Sequence, residues 1–233
     1  MKILAMDSSA GAASVSLCDD EKQIAGMTLD NGNKHSETLL PMTEDLLGHT
    51  GLSVDDIDLF AVTVGPGSFT GVRIGVSLVK GIAFGRGKPC VGVSSLEALA
   101  YNVIGTDKRI CALIDARHDQ FYNAMFRIED GKVVRLCADR LVTGDALAEE
   151  LAKTSEAVCL VGDGAYAAKK FLPGENIMSV QNCLLAENAY SVALAAKKLY
   201  EQGIYTDDRR LVPVYLRASQ AERERNERLG IGN

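Results

Sequence analysis

Short apolar runs separated by polar turns open the chain and predict β-strands. The runs at residues 3–6, 12–17 and 24–29 are each bounded by Asp, Ser or Gly, and the polar turn 19–22 joins the second run to the third. Because three such strands with tight turns are typical of a meander, an antiparallel unit is expected at the N-terminus.

Apolar residues at helical spacing follow and predict a helix over 35–47. The next apolar run, 59–64, predicts a buried strand. A further short strand is predicted over 90–93, after which Ser94 or Ser95 can cap another helix.

The order of elements restarts near residue 105. The second half has predicted strands at 110–114, 120–127, 132–136 and 158–161, and predicted helices at 144–153 and 187–202. Each half begins with a strand that ends in Asp, Asp7 in one and Asp115 in the other. We therefore expect a duplicated α/β fold with a cleft between lobes 1–104 and 105–233, and the helix over 187–203 as the element that would pack back on the first lobe.

A glycine-rich turn, Gly65-Pro66-Gly67, joins the buried strand to a helix predicted to reach about Gly85 and to be capped by Ser68 or Thr70. This geometry either aims backbone N–H groups at an anion or lets two backbones approach closely. The turn lacks the Gly-Lys-Ser/Thr ending of a P-loop.

The same helix contains two stripes of small residues: Gly71 with Gly75, and Ser77 with Gly81 and Gly85. Each glycine inside a helix costs about 0.8–1 kcal/mol relative to Ala, so close packing must offset the cost. We expect packing within the chain to account for at least one stripe, and contact with another subunit to be the alternative.

Composition and charge narrow the function classes. The 233 residues carry a formal net charge of −6, which argues against binding a polyanion alone. The six cysteines include no C-x-x-C pair, and neither a signal peptide nor an 18-residue apolar run is found, so we expect a cytoplasmic protein. The run of alternating charges at 222–228 is predicted to be a solvated tail.

Six motifs in a fixed order together resemble the TsaB (YeaZ) family of tRNA threonylcarbamoyladenosine biosynthesis proteins, which is related to the glycoprotease (M22) family. These motifs are MDSSAGAASVSL at 6–17, KHSETLLPM at 34–42, VGPGSFTGVRIG at 64–75, GVSSLEALA at 92–100, DARHDQFY at 115–122 and PVYLR at 213–217. They span nearly the whole chain.

The resemblance implies the actin-like ATPase (ASKHA, ribonuclease H-like) fold and a role without catalysis. In this family the protein is the partner of its paralogue TsaD. TsaD transfers a threonylcarbamoyl group to the adenosine 3′ of the anticodon in tRNAs that read codons beginning with A. TsaC makes the threonylcarbamoyl-adenylate, and the small ATPase TsaE docks on the pair. The implied partners are thus TsaD, TsaE, a second copy of the chain when TsaD is missing, and tRNA only through the complex, with no membrane.

The resemblance also bears on catalysis. TsaD binds a metal through two histidines spaced i, i+4 in a segment similar to G-V-N-H-L-E-G-H. Aligned on Gly92-Val93, this chain has Ser95 and Leu99 at those two positions, and its three histidines are scattered. We expect no metal site and no catalytic residue.

Weak candidates for nucleotide binding are the turn Asp7-Ser8-Ser9 and the two glycines Gly162 and Gly164. The second phosphate turn carries His118 where a TsaD-like turn has Gly, and the imidazole is expected to project where a phosphate oxygen would sit. We expect weak or no ATP binding by the isolated chain, no cofactor, and nucleotide only in an assembled complex.

An independent enzyme of the same fold, a phosphotransferase or a metallopeptidase, is the alternative function. For a peptidase, Ser68 in G-S-F-T-G lacks the G-x-S-x-G spacing of a nucleophile elbow, so a helix cap is the favoured interpretation. Direct tRNA binding is disfavoured by the net charge, although Arg209, Arg210 and Arg217 could join a composite surface.

The partner surface implied by the resemblance lies on the helices predicted over 35–47 and 70–85. Which face of each helix points outward is not fixed by the sequence. The candidate interface residues are His35, Leu39, Met42, Leu46, Val72, Arg73, Val76 and Val79.

Overall fold

The computed structural model describes residues 1–32, 34–172, 174, 176–217, 225 and 228. Its strands are β1 (Lys2–Asp7), β2 (Ala13–Asp19), β3 (Lys22–Leu29), β4 (Leu59–Gly65), β5 (Cys90–Ser94), β6 (Arg109–Asp115), β7 (Gln120–Glu129), β8 (Lys132–Arg135), β9 (Arg140–Thr143), β10 (Val158–Val161) and β11 (Ile177–Ser179). Its helices are α1 (His35–Thr50), α2 (Phe69–Ala83), α3 (Ser95–Tyr101), α4 (Gly144–Leu151), α5 (Gly164–Ala168) and α6 (Ala189–Glu201). The charged run at 222–228 lies almost wholly outside the described residues.

The two sheets repeat one topology. The first has the order β3-β2-β1-β4-β5, and the second has the order β11-β10-β6-β7-β8, with β9 added beside β7. In each sheet the strand that ends in Asp pairs antiparallel with the meander on one side and parallel with the next strand on the other. The repeat expected from the order of elements is present in this topology.

Helices cover both sheets and fill the space between them. Helices α1 and α2 pack on the outer face of the first sheet, and α5 packs on the second. Helix α3 contacts β6 and β7 of the second sheet, whereas α6 contacts β1 and β2 of the first. The central core therefore belongs to both halves of the chain, which fixes the cleft between them.

Alternation along β1 shows how one strand serves two cores. Ile3 and Ala5 face the core that contains α3 and α6, and Leu4 and Met6 face the core under α1 and α2. All four side chains are fully buried. A strand buried on both faces reads as a continuous apolar run, which is the pattern that the sequence shows.

The last helix begins two residues later than predicted, at Ala189. Asn188 caps it, because its side chain accepts a hydrogen bond from the Tyr190 N–H at 2.9 Å. The sequence interpretation missed α5, β9 and β11, which are three to five residues long and too short to show a period.

Residues 204–217, which we call the strap, run back from α6 over the first lobe. Thr206 forms a bridge with Cys90, and the Val214 N–H donates to the Val64 carbonyl at 2.7 Å. Lys80 of α2 donates to the carbonyl oxygens of Arg209 and Leu211 at 3.0 and 2.9 Å. The strap thus ties the end of the described chain to β4, β5 and α2.

Across the described ranges, no helix combines the length and the apolar character needed to cross a membrane.

Candidate functional site

The glycine-rich helix packs directly on the turn that follows β1. A Cβ atom at Gly71 would overlap the Ser8 carbonyl oxygen, and one at Gly75 would lie 2.6 Å from the Ser8 Oγ. The Ser8 hydroxyl donates to the Gly71 carbonyl at 2.9 Å, and the Ser68 N–H donates to the Ser9 carbonyl at 2.6 Å. The first stripe of small residues is therefore used within the chain, as expected, while Gly81 faces open space.

Ser68 is a helix cap. Its Oγ accepts a hydrogen bond from the Gly71 N–H at 3.2 Å at the first turn of α2. The interpretation of Ser68 as a cap is confirmed.

The buried carboxylate of Asp7 stabilises the turn that follows β1. One of its carboxylate oxygens accepts hydrogen bonds from the Ser9 N–H at 2.8 Å, from the Ser9 Oγ at 2.7 Å and from the Thr63 Oγ1 at 2.9 Å. Burial raises the pKa of Asp7, and these hydrogen bonds oppose the shift. The nucleotide candidates Asp7, Ser8 and Ser9 are thus engaged in the contact between β1, β4 and α2.

The second turn, after β6, has three consecutive left-handed residues: Arg117, His118 and Asp119, with φ of 65°, 53° and 59°. The Arg117 N–H donates to the Asp115 carboxylate at 2.7 Å. His118 is exposed and does not line the cleft, whereas Arg117 does. Arg117, and not His118, therefore belongs to the cleft lining, and the expected position of the imidazole at a phosphate stays a prediction.

Gly162 and Gly164 allow the loop after β10 to lie against β6. A Cβ at Gly162 would overlap the Leu113 carbonyl oxygen, and one at Gly164 would lie 3.0 Å from the Asp115 N. Between them, Asp163 accepts a hydrogen bond from the Asp115 N–H at 3.0 Å. Burial raises the pKa of Asp163. Packing of backbone on backbone is sufficient to explain both glycines.

An open cleft of about 810 Å³ lies between the two lobes, where these turns meet. Among the described residues, its charged lining consists of Asp115, Arg117, Asp163 and Arg217. Its rim is formed by Phe69 and by Tyr215 of the strap, whose rings stack with centroids 4.6 Å apart. The motif PVYLR was noticed in the sequence, but the stacking of Tyr215 was not anticipated because its partner is 146 positions away along the chain.

A buried carboxyl group, Glu187, precedes α6. It is 3% exposed, and its Oε1 has no hydrogen-bond partner within the part of the chain that the structure describes. Burial, and then the charge of Asp7, raise the pKa of Glu187 well above its ordinary value. Sequence reasoning missed this residue, because nothing in its neighbourhood along the chain marks it as buried.

The two positions aligned with metal-binding histidines lie in α3 and are buried. Leu99 is part of the central core, and Ser95 is fully buried with an Oγ that has no partner among the described residues. Within the part of the chain that the structure describes, no group of three or more His, Cys, Asp and Glu side chains is placed to hold a metal ion.

A groove of about 500 Å³ lies between α1 and α2 on the outside of the first lobe, away from the central core. His35, Leu39 and Arg73, all expected at the partner surface, line this groove. The His35 Nε2 also lies 2.9 Å from the Ala10 carbonyl oxygen, which joins α1 to the first turn.

The six apolar residues expected at the partner surface are instead core residues. Each is between 0% and 3% exposed and packs under α1 and α2 against the first sheet: Leu39, Met42, Leu46, Val72, Val76 and Val79. Leu39 lies at the floor of the groove, whereas the other five side chains are buried beneath the helices, because the strongest apolar stripe of each helix is the one that the chain buries itself. The accessible apolar residues of the groove are Leu40, Phe69, Ile74 and Leu78.

Fold and cleft together define a two-lobed α/β protein of the actin-like ATPase class, which confirms the expected fold. The sequence-family profile described as "TsaD: tRNA N6-adenosine threonylcarbamoyltransferase" matches residues 30–225.

Individual relatives narrow this class. The tRNA threonylcarbamoyladenosine biosynthesis proteins TsaB of Escherichia coli K12 and Bacillus subtilis 168 are 31% and 30% identical, each over 95% of this chain and 96% of the relative. The structure of YeaZ from Pseudomonas aeruginosa superposes with a TM-score of 0.82 at 28% identity, over 92% of this chain and 99% of that one. The chain belongs to the TsaB (YeaZ) family.

Proposed function

We propose that this protein is the non-catalytic subunit that binds and activates a TsaD paralogue in the threonylcarbamoylation of tRNA. The observation that carries the proposal is the groove between α1 and α2, an accessible, partly apolar surface on a chain of the TsaB family. Two helices with an apolar groove between them suit a partner that presents helices of its own.

The residues at the aligned metal positions support a role without catalysis. Leu99 has no ligating atom, and both Leu99 and Ser95 are buried in the core between the sheets. In the proposed role, TsaD supplies the chemistry and this chain orients it. TsaE docks on the pair, tRNA is bound through the complex, and a second copy occupies the groove when TsaD is missing. The proposal places the complex in the cytoplasm.

The isolated chain, in this proposal, uses no cofactor. Ser8 and Ser9 are engaged by α2, and Gly162 and Gly164 are used to pack their loop on β6. The candidate nucleotide residues therefore all have structural roles. Nucleotide binding is proposed only for an assembled complex.

Leu40→Glu tests the groove. Leu40 is 43% exposed and lines the groove, so a charge there should leave the fold intact while abolishing association with TsaD. Sedimentation velocity of the mixed proteins measures the association.

Ile24→Glu is the matched control. Ile24 is 40% exposed on β3, and its neighbours Ala25 and Met27 pack toward α1 and α2, so alternation places Ile24 on the opposite face. The Ile24→Glu variant should associate with TsaD as strongly as the unaltered chain does. If Leu40→Glu still forms the heterodimer with unchanged affinity, the groove is not the partner surface.

A further inference from the structure

Two segments of this acidic chain are basic. Residues 59–96, from β4 to the start of α3, contain four cations and no acidic residue, and the strap contains three arginines and two aspartates. These two segments together have a formal charge of +5, whereas the whole chain has −6. Positive charge is thus concentrated in two separate parts of the sequence.

The fold brings the two basic segments together. Lys80 holds the strap at Arg209 and Leu211, and Tyr215 stacks on Phe69 at the start of α2. We define the basic face as the strap together with Lys80 of α2; its cations are Lys80, Arg209, Arg210 and Arg217.

Much of this charge is available to a ligand. Arg209 and Arg217 have no carboxylate within ion-pair distance among the described residues, and Arg210 meets Asp207 only at 3.9 Å. Arg209 and Arg210 are exposed. Exposed cations without partners can neutralise a polyanion and release its counterions.

Aromatic side chains are interspersed with the arginines. Tyr205 and Tyr215 of the strap are 56% and 45% exposed. A strip of cations with exposed aromatic rings suits single-stranded or looped RNA, because phosphates bind the cations and unpaired bases stack on the rings.

We propose that the basic face contacts the phosphate backbone of tRNA held in the complex with TsaD. This inference rests on the proposed function, since the net charge of −6 disfavours tRNA binding by the isolated chain. Arg209 and Arg210 supply phosphate contacts at one end of the strap, and Arg217 supplies one at the mouth of the cleft.

The test uses the purified complex of this chain with TsaD and an in vitro transcribed tRNA that reads codons beginning with A. Fluorescence anisotropy measures the Kd at several NaCl concentrations. The double variant Arg209→Gln/Arg210→Gln should weaken binding about tenfold and lower the slope of log K against log[salt] by about 1.5–2. The backbone atoms through which Lys80 and Asp207 hold the strap are unchanged in this variant.

The matched control is Lys132→Gln/Lys153→Gln, which removes two exposed cations from the second lobe. It should bind tRNA with unchanged affinity and slope. An Arg209/Arg210 variant complex that assembles normally and binds tRNA with unchanged Kd and slope overturns the inference and leaves the proposed function standing.

Two other outcomes would also overturn it. If the variant fails to associate with TsaD, the basic face binds an acidic protein surface and not RNA. If the unaltered chain does not associate with TsaD, the proposed function fails and this inference fails with it.

Discussion

Gly71 illustrates at the residue scale what the glycine-rich motif does. It sits in the first turn of α2, with no room for a side chain between the helix and the Ser8 carbonyl. Gly81, almost three turns further along, has open space where a Cβ would be. The two glycines occupy one helix but meet opposite environments.

Gly71→Ala should therefore destabilise the protein by about 1–3 kcal/mol, because the added methyl group forces α2 away from the turn that follows β1. Gly81→Ala should stabilise it by about 0.5–1 kcal/mol, through helix propensity alone. Urea unfolding followed by circular dichroism measures both. Equal effects of the two substitutions would show that α2 does not pack on Ser8 as described.

Glu187 makes a pH-dependent contribution to stability. A carboxyl group whose pKa is raised by folding stabilises the protein below the pKa of the unfolded chain, and the contribution is lost as pH rises through the folded pKa. Glu187→Gln should thus raise the Tm relative to the unaltered protein at about pH 8, with a difference that shrinks towards about pH 4. Thermal melts across this range measure it.

Glu149→Gln is the control, because Glu149 is exposed and takes part in no ion pair among the described residues. Its Tm difference should be small at every pH. A Glu187→Gln difference that does not change with pH would mean that folding does not raise the pKa of Glu187.

Some of these residues were predictable and others were not. The cap at Ser68 and the closeness of Gly71 to another backbone follow from local spacing. The burial of Glu187 and the stacking of Phe69 on Tyr215 arise from contacts between the two halves of the chain, which spacing does not encode.

At the scale of elements, α1 and α2 show the limit of hydrophobic periodicity. Their apolar stripes were predicted, but the residues on them form the core beneath the helices and not a partner surface. A helix that binds both its own sheet and a partner needs apolar residues on two faces. Periodicity identifies the stronger face, which the fold buries first, so the groove around Leu40 became visible only in the structure.

The strap is anchored by the backbone bonds of Thr206 to Cys90 and of Val214 to Val64, and by the buried side chain of Leu211. Between the two backbone contacts, the Lys80 ammonium holds the carbonyl oxygens of Arg209 and Leu211. Lys80→Met removes two hydrogen bonds to strap carbonyls while keeping the length of the side chain, at a cost of about 1–3 kcal/mol for the local structure. Hydrogen exchange at the Val214 amide, which donates to Val64, should accelerate.

Lys88→Met is the control, because Lys88 lies beyond the end of α2 and makes no ion pair among the described residues. It should leave the exchange rate of the Val214 amide unchanged. If Val214 exchanges at the same rate in Lys80→Met, the strap does not depend on α2.

At the scale of the molecule, the duplication was predictable and the joining of its halves was not. Each half repeats a strand ending in Asp, a meander and an alternation of helices and strands, which local patterns encode. The crossing of α3 and α6 onto the opposite sheets depends on long-range packing. That crossing builds the shared central core, and it places Glu187 near Asp7 at the end of β1.

The central claim is that this chain acts through TsaD, and reconstitution tests it most directly. TsaC, TsaD and TsaE are incubated with tRNA, threonine, bicarbonate and ATP, with and without this chain, and threonylcarbamoyladenosine is measured by mass spectrometry of nucleosides. The account predicts modification only when the chain is present, and its loss with Leu40→Glu but not with Ile24→Glu. Full modification without the chain would contradict the account.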